Sequence, residues 1–233
     1  MNRPSARFTS AAHPKIPQGR SPLAQLLHAL NQPLTGLQCS LELATSGPRP
    51  VDQYLGVLRD GLDLTARMRV LVDAMRELLD IQRTEFRRED CFALEGLIRE
   101  TVFDLKPVAE TRHTQISAAC ESGLWLRANR SFCAAWLFRL LDSTLSLSHE
   151  DSEVQIDARR NGGSEILLTL SWEKAIGAES PPCSRAELGF LIAEAAVERI
   201  EGDWLRDSDG TRERYRLRLP GATADSPELE SRK

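Results

Sequence analysis

The sequence predicts an α+β chain, an antiparallel helical hairpin followed by an α/β sandwich with a mixed sheet. Three observations carry this. Leucines recur at spacings of three and four from Leu23 to Leu41, and a second apolar stripe runs from Val51 to Leu79; each marks a long amphipathic helix. Only Ser46-Gly47-Pro48-Arg49-Pro50 separates the two stripes, so the helices should fold back on each other. Beyond a charged stretch from Arg83 to Asp90, helical patterns alternate with short strand-like runs.

The first helix begins at Ser21-Pro22. Serine is a good N-cap, and proline costs nothing at the first helical position, where an N–H would have no helical partner. The stripe that follows is Leu23, Leu26, Leu27, Leu30, Leu34, Leu37, Leu41 and Ala44. Pro33 lies inside it and removes one backbone bond, which predicts a kink. The second helix spans about Val51 to Gln82, with Val51, Leu55, Leu58, Leu62, Met68, Val72, Met75 and Leu79 as its stripe and charged residues opposite. A two-helix hairpin is a single layer and cannot bury its stripes alone. A four-helix bundle made from two copies would solve this, so a homodimer is expected; packing against the downstream region is the rival solution.

Downstream, Leu94 to Glu110 reads as a helix, and Gln115 to Ala119 and Leu124 to Leu126 as strands. Phe132 to Leu147 is a strongly apolar helix. Val154 to Arg160 and Ile166 to Trp172 alternate like neighbouring strands around the turn Asn161-Gly162-Gly163. Leu188 to Ile200 is a helix ended by Gly202, and Tyr215 to Leu219 is a last strand after the turn Asp209-Gly210. The four tryptophans (Trp125, Trp136, Trp172 and Trp204) are assigned to packing.

The ends differ in texture. Residues 1–20 carry Arg3, Arg7, Lys15 and Arg20, no acid and three prolines, the composition of a disordered basic arm. Residues 221–233 form a polar tail. The expected organisation is therefore arm 1–20, hairpin 21–83, α/β domain 90–220 and tail 221–233. The 233 residues are 41% hydrophobic and 27% charged, with a net charge of -4, so no global basic field points to nucleic acid or an anionic membrane as a partner. There is no membrane-spanning run and no signal-peptide core, which places the expectation in the cytoplasm. Five scattered cysteines without a C-x-x-C pair, and four histidines without ligand spacing, predict reduced thiols and no metal site.

One residue on the first helix stands out. At ~100° per residue, His28 lies roughly 120° from the axis of the leucine stripe, so it is exposed and not a core histidine. Most exposed helical histidines are inert. This one is followed by Asn31-Gln32-Pro33-Leu34, and Gln32 lies one turn on, where it could orient a water or a phosphoryl group. Pro33 is read as architectural. His113 and His149 sit in polar loop contexts and receive no role. Glu194, Glu198, Glu201 and Asp203 read as a solvated acidic face at a helix end.

The order of these pieces resembles the histidine kinase core: a dimerisation and phosphoacceptor hairpin, then an ATP-binding domain of the GHKL type. His28-Ala29-Leu30-Asn31-Gln32-Pro33-Leu34 resembles the family's H-box, and Leu140-Leu141-Asp142 falls where its N-box would lie. Leu188 to Ala193, continuing to Gly202, is similar to the helix after the second glycine box, and Gly210-Thr211 followed by Tyr215 to Pro220 to the closing strand. The resemblance implies that His28 is a phosphoacceptor, with Asn31 and Gln32 beside it.

The departures cluster on the nucleotide. The N-box asparagines, one helical turn apart to hold Mg²⁺ and nucleotide, are replaced by Arg139 and Ser143. The first glycine box, Asp-x-Gly-x-Gly in the family, reads Glu173-Lys174-Ala175-Ile176-Gly177 here; Glu173 is a poor stand-in for the aspartate. Glu187 replaces the first glycine of the second box and brings negative charge to a helix start that should meet phosphates. The segment from Gly177 to Arg185, where a lid would lie, is short and carries prolines. Ala29 stands where the family places the acid that takes a proton from the imidazole during attack on ATP.

No nucleotide or metal cofactor is therefore expected. The resemblance implies a dimeric histidine phosphotransferase that relays phosphoryl groups through His28 to or from response-regulator receiver domains, which bring the Mg²⁺ and acid cluster. An upstream hybrid histidine kinase is a possible donor. The alternatives are a non-catalytic pseudokinase scaffold that binds a response regulator or kinase, and a divergent active histidine kinase.

Overall fold

A computed structural model describes residues 21–83, 90–175 and 184–222. The expectations placed on the arm 1–20, the linker 84–89, the lid region 176–183 and the end 223–233 lie outside them. Helix α1 (Pro22–Thr45) and helix α2 (Val51–Arg83) form the hairpin. Ser21 occupies the N-cap position of α1, but its carbonyl accepts from the Gln25 N–H at 3.1 Å while its side chain makes no cap bond. α1 is one continuous helix through Pro33.

The α/β unit runs β1 (Asp90–Ala93), α3 (Leu94–Thr111), β2 (Gln115–Cys120), β3 (Trp125–Ala128), α4 (Arg130–Leu147), β4 (Glu153–Arg160), β5 (Glu165–Glu173), α5 (Arg185–Arg199), β6 (Asp203–Ser208) and β7 (Arg212–Ala222). The sheet order is β1-β3-β7-β5-β4-β2, with β6 also paired to β7. Among the described strands only β2 and β4 run parallel, which makes the sheet mixed. Alternate residues are buried along β5 (Ile166, Leu168, Leu170, Trp172) and β7 (Tyr215, Leu217, Leu219). One face of the sheet therefore packs against the helices. Asn129 caps α4 through its side chain, which accepts from the Phe132 N–H at 2.9 Å, and Ser184 caps α5 by accepting from the Glu187 N–H at 3.2 Å.

Two strands escaped the sequence reading. β1 falls at the end of the charged linker, and β6 carries Asp203, Arg206 and Asp207, residues of poor strand propensity that its pairing with β7 overrides. β7 also runs two residues past the expected boundary at 220, because Gly221 and Ala222 pair with Leu126 and Trp125 of β3. A Cβ on Gly221 would collide with the Ser164 carbonyl, so only glycine fits there.

The hairpin stripe needs a larger correction. In the lower half of α2 the buried residues are Leu71, Ala74, Leu78 and Ile81, whereas Met68, Val72, Met75 and Leu79 are only partly covered. The cause is tertiary: α2 packs against α5, so its buried face is set by the α/β unit. Leu26 of α1 joins Leu71, Leu78 and Ile81 in one hydrophobic cluster continuous with the interior of the α/β unit. In the upper half, Leu34, Leu41, Leu55, Leu58 and Leu62 stay exposed, as does Leu27 lower on α1. Packing downstream thus covers one half of the hairpin and leaves the other open.

Candidate functional site

His28, Asn31 and Gln32 all lie on the exposed side of α1. They are one helical turn apart, and the backbone around them stays helical despite Pro33. Thr35 donates from Oγ1 to the Asn31 carbonyl at 2.8 Å, a bond that stays within the helix and holds the turn after the histidine. Ala29 and Leu30 pack partly against the core while His28 points away, so the imidazole is presented from an anchored helix.

The positions that the resemblance assigns to nucleotide lie along α4 and α5, and other contacts occupy them. Arg139 reaches out of the α/β unit to α2, donating from Nε to Glu77 Oε1 at 3.1 Å and from Nη2 to Oε2 at 2.6 Å. Ser143, one turn on, is buried at the crossing of α4 and α5. A Cβ added to Gly189 would fall on its hydroxyl, so the two helices meet through a serine and a glycine with no room between. Two positions that would have to face a metal ion and phosphates are spent on helix contacts.

The glycine-box positions show the same pattern. Glu173 ends β5 and by alternation points to the opposite face from buried Trp172, away from α4 and α5. The strand end is tied by main-chain bonds from the Ala175 N–H to the Leu147 carbonyl at 3.2 Å and from the Lys174 N–H to the Thr211 carbonyl at 2.8 Å. Glu187, in the first turn of α5, pairs with Arg206 at 3.6 Å. Between the two boxes, Trp172, Phe190 and Tyr215 stack with centroids 5.0–6.2 Å apart, all fully buried. The Arg206 guanidinium lies over the Phe190 and Tyr215 rings at 5.3 and 5.7 Å.

One member of the expected acidic face belongs elsewhere. Glu194 turns inward from α5 and accepts a hydrogen bond from the Tyr215 hydroxyl. Burial pushes its carboxyl up to about 7; Glu187 and Glu198 push the same way, while the Tyr215 bond and Arg206 oppose them. Burial and the neighbouring Glu194 likewise raise the Tyr215 phenol. Glu198 stays exposed and accepts from Trp204 Nε1 at 3.3 Å. No spacing rule separates Glu194 from Glu198, because both lie on α5 one turn apart; only the aromatic layer beneath distinguishes them.

A helical hairpin packed against α5 of an α/β unit, whose mixed sheet carries three helices on one face, is the fold of a histidine kinase core with a GHKL-like α/β domain. No protein-family model matches the chain, and no curated protein sequence matches it. Solved structures do. The Acinetobacter baumannii histidine kinase AdeS superposes with a TM-score of 0.55 at 16% identity, over 83% of this chain and 97% of that one. A histidine kinase from Burkholderia phymatum STM815 gives 0.52 at 17% identity, over 87% and 99%. Full-length ShkA, solved in complex with AMPPNP, gives 0.57 at 16% identity over 87% of this chain, which spans 46% of ShkA. The chain therefore has the histidine kinase core fold. Among the described residues no helix is long and apolar enough to cross a membrane.

Proposed function

We propose that this chain is a histidine phosphotransferase of two-component signalling, with His28 as the phosphoryl carrier and a GHKL-like domain that no longer takes ATP. The observation that carries the reading is a contrast. His28 is exposed on an anchored helix with Gln32 one turn away, while Arg139 and Ser143 are engaged with Glu77 and Gly189. An arginine, a sealed serine and a carboxylate at a helix start form a poor donor set for Mg²⁺ and a triphosphate, so no step is assigned to nucleotide.

The chemistry left is transfer between proteins. An imidazole nitrogen of His28 attacks the phosphorus of a receiver's aspartyl phosphate, the bond from phosphorus to the carboxylate oxygen breaks, and the carboxylate leaves; the reverse step loads a receiver. The receiver supplies the Mg²⁺, and α1 supplies position. Ala29 fits this division, since a side chain without an acid cannot assist attack on ATP but does not hinder attack on an activated acyl phosphate. The exposed leucines of the upper hairpin support a homodimer built as a four-helix bundle.

The test is incubation with receiver domains carrying radiolabelled aspartyl phosphate, beside a MgATP titration. Acid-labile, base-stable label on the wild type, its loss in His28→Ala, and no nucleotide binding are expected. Equal labelling of His28→Ala would overturn the carrier role. Receiver binding retained by both proteins without transfer would identify a scaffold, and saturable MgATP binding with autophosphorylation a divergent kinase.

A further inference from the structure

Among the described residues the strand β2 forms one edge of the sheet and pairs with β4 alone. Its ladder is anchored at both ends, by the Gln115 N–H to the Ser152 carbonyl at 3.0 Å and the Glu121 N–H to the Ala158 carbonyl at 2.8 Å. In a parallel pair each residue turns both main-chain groups to the same side, and successive residues alternate. Gln115, Ser117 and Ala119 therefore face β4, while Ile116, Ala118 and Cys120 present their N–H and carbonyl groups outward. Among the described residues none of these three outward residues has another main-chain partner.

Edges of this kind are ordinarily blunted by charge, proline or a bulge. Gln-Ile-Ser-Ala-Ala-Cys has none of these. Beside it lies a cavity of about 530 Å³ between α3 and the edge, lined by Val102, Phe103, Lys106, Gln115 and Ile116 among others. Phe103 stands over it with 74% of its surface exposed, the most exposed large hydrophobic side chain outside the hairpin face among the described residues. The side chains of Ile116, Ala118 and Cys120 lie on the same face of the sheet as α3, because Ile116 and Cys120 pack into the core.

We infer that this edge and groove form a docking site for an extended peptide segment of a partner protein, which adds to β2 as a further strand. A row of outward main-chain donors and acceptors is complementary only to another extended main chain. An added strand would send every second side chain to the α3 side, into the groove beneath Phe103, so the ligand carries an apolar residue there. Rim charges are mixed, with Arg99, Lys106 and Glu110, so the main chain and the apolar anchor define the occupant. The site is independent of His28.

The test selects random octapeptides displayed on phage against the full chain, followed by anisotropy measurements with synthetic copies of the recovered sequences. Recovered peptides are expected to show apolar residues at alternate positions. N-methylation of those main-chain amides that face β2 should weaken them tenfold or more, and methylation of the intervening amides should not. Phe103→Glu, at an exposed position, should cost a similar factor. Ala118→Pro removes an N–H that the ladder to β4 does not use and should abolish binding. Should that variant fail to fold, the methylated peptides and Phe103→Glu decide. Recovery of no peptide, or of peptides indifferent to methylation and to Phe103→Glu, overturns the inference. So does self-association of the chain that Phe103→Glu abolishes, since the edge would then pair with its own copy.

Discussion

Arg139 of α4 holds both carboxylate oxygens of Glu77 on α2, a two-point grip between the α/β unit and the hairpin. It occupies the position that the resemblance assigns to an N-box asparagine, and there it serves as an interdomain tie. Both side chains remain about one third exposed, 39% for Arg139 and 33% for Glu77, which limits the strength of the pair. The bidentate geometry favours it over a single surface contact.

A double-mutant cycle of Glu77→Gln and Arg139→Ala should therefore give a coupling energy of about 1 kcal/mol in urea unfolding. Each single variant should still fold, because Leu26, Leu71, Leu78 and Ile81 also join the hairpin to the α/β core. A coupling indistinguishable from zero would mean the pair is no more than a surface contact.

Gly189 and Ser143 make the second tie. Gly189→Ala places a methyl group on the Ser143 hydroxyl and should destabilise the fold by about 1–3 kcal/mol, since neither backbone can retreat without disturbing α4 or α5. In a Ser143→Ala background the cost should shrink, because the colliding oxygen is gone. Ser143→Asn, which introduces the residue type the resemblance expects there, should destabilise by a similar amount and should not create MgATP affinity by calorimetry. Binding in that variant would show the helices open easily enough to readmit a nucleotide.

Much of this architecture is readable in the chain. The alternation in Val154 to Arg160 and Ile166 to Trp172 gives an adjacent strand pair, and the loop at Ser46-Gly47-Pro48 gives the hairpin, since both are local patterns. His28 is exposed as the helical angle requires. The phase of lower α2 is not legible. Two apolar rows run along it, and which one is buried depends on where α5 lands, a contact more than a hundred residues away in sequence. The same holds for Arg139. Sequence shows an arginine where the resemblance expects an asparagine, but only the fold reports that it meets Glu77. Glu194 is hidden for a third reason: an acid among acids looks solvated until the stacked rings beneath it are in place.

Glu194 gives the stability a pH dependence of definite sign. Its carboxyl titrates near 7 in the folded chain against a reference of 4.5. Between these values the folded state keeps a proton that the unfolded state has lost. The contribution of Glu194 to stability is therefore full below about 4.5 and is lost as pH rises through about 7. Between pH 5.5 and 8.5 this residue alone should remove about 2 kcal/mol. Glu194→Gln keeps an oxygen for the Tyr215 hydroxyl and removes the titration, so its unfolding free energy should change less over the same interval. Parallel profiles for wild type and variant would assign the proton elsewhere.

The proposed dimer makes the last expectation. Leu58 and Leu62 are 59% and 70% exposed, and with Leu34 and Leu41 they lie on the half of the hairpin that the α/β unit leaves uncovered. Burying a leucine from such a surface contributes roughly 1.5–3 kcal/mol, so a few of them in two copies suffice for a stable bundle. A glutamate at Leu62 would sit inside that bundle without a partner but would face water in a monomer. Leu62→Glu should therefore halve the mass found by sedimentation while the unfolding free energy of the monomer stays within about 0.5 kcal/mol of its value at high dilution. Wild type that sediments as a monomer at high micromolar concentration would remove the four-helix bundle and leave the open half of the hairpin to a different protein.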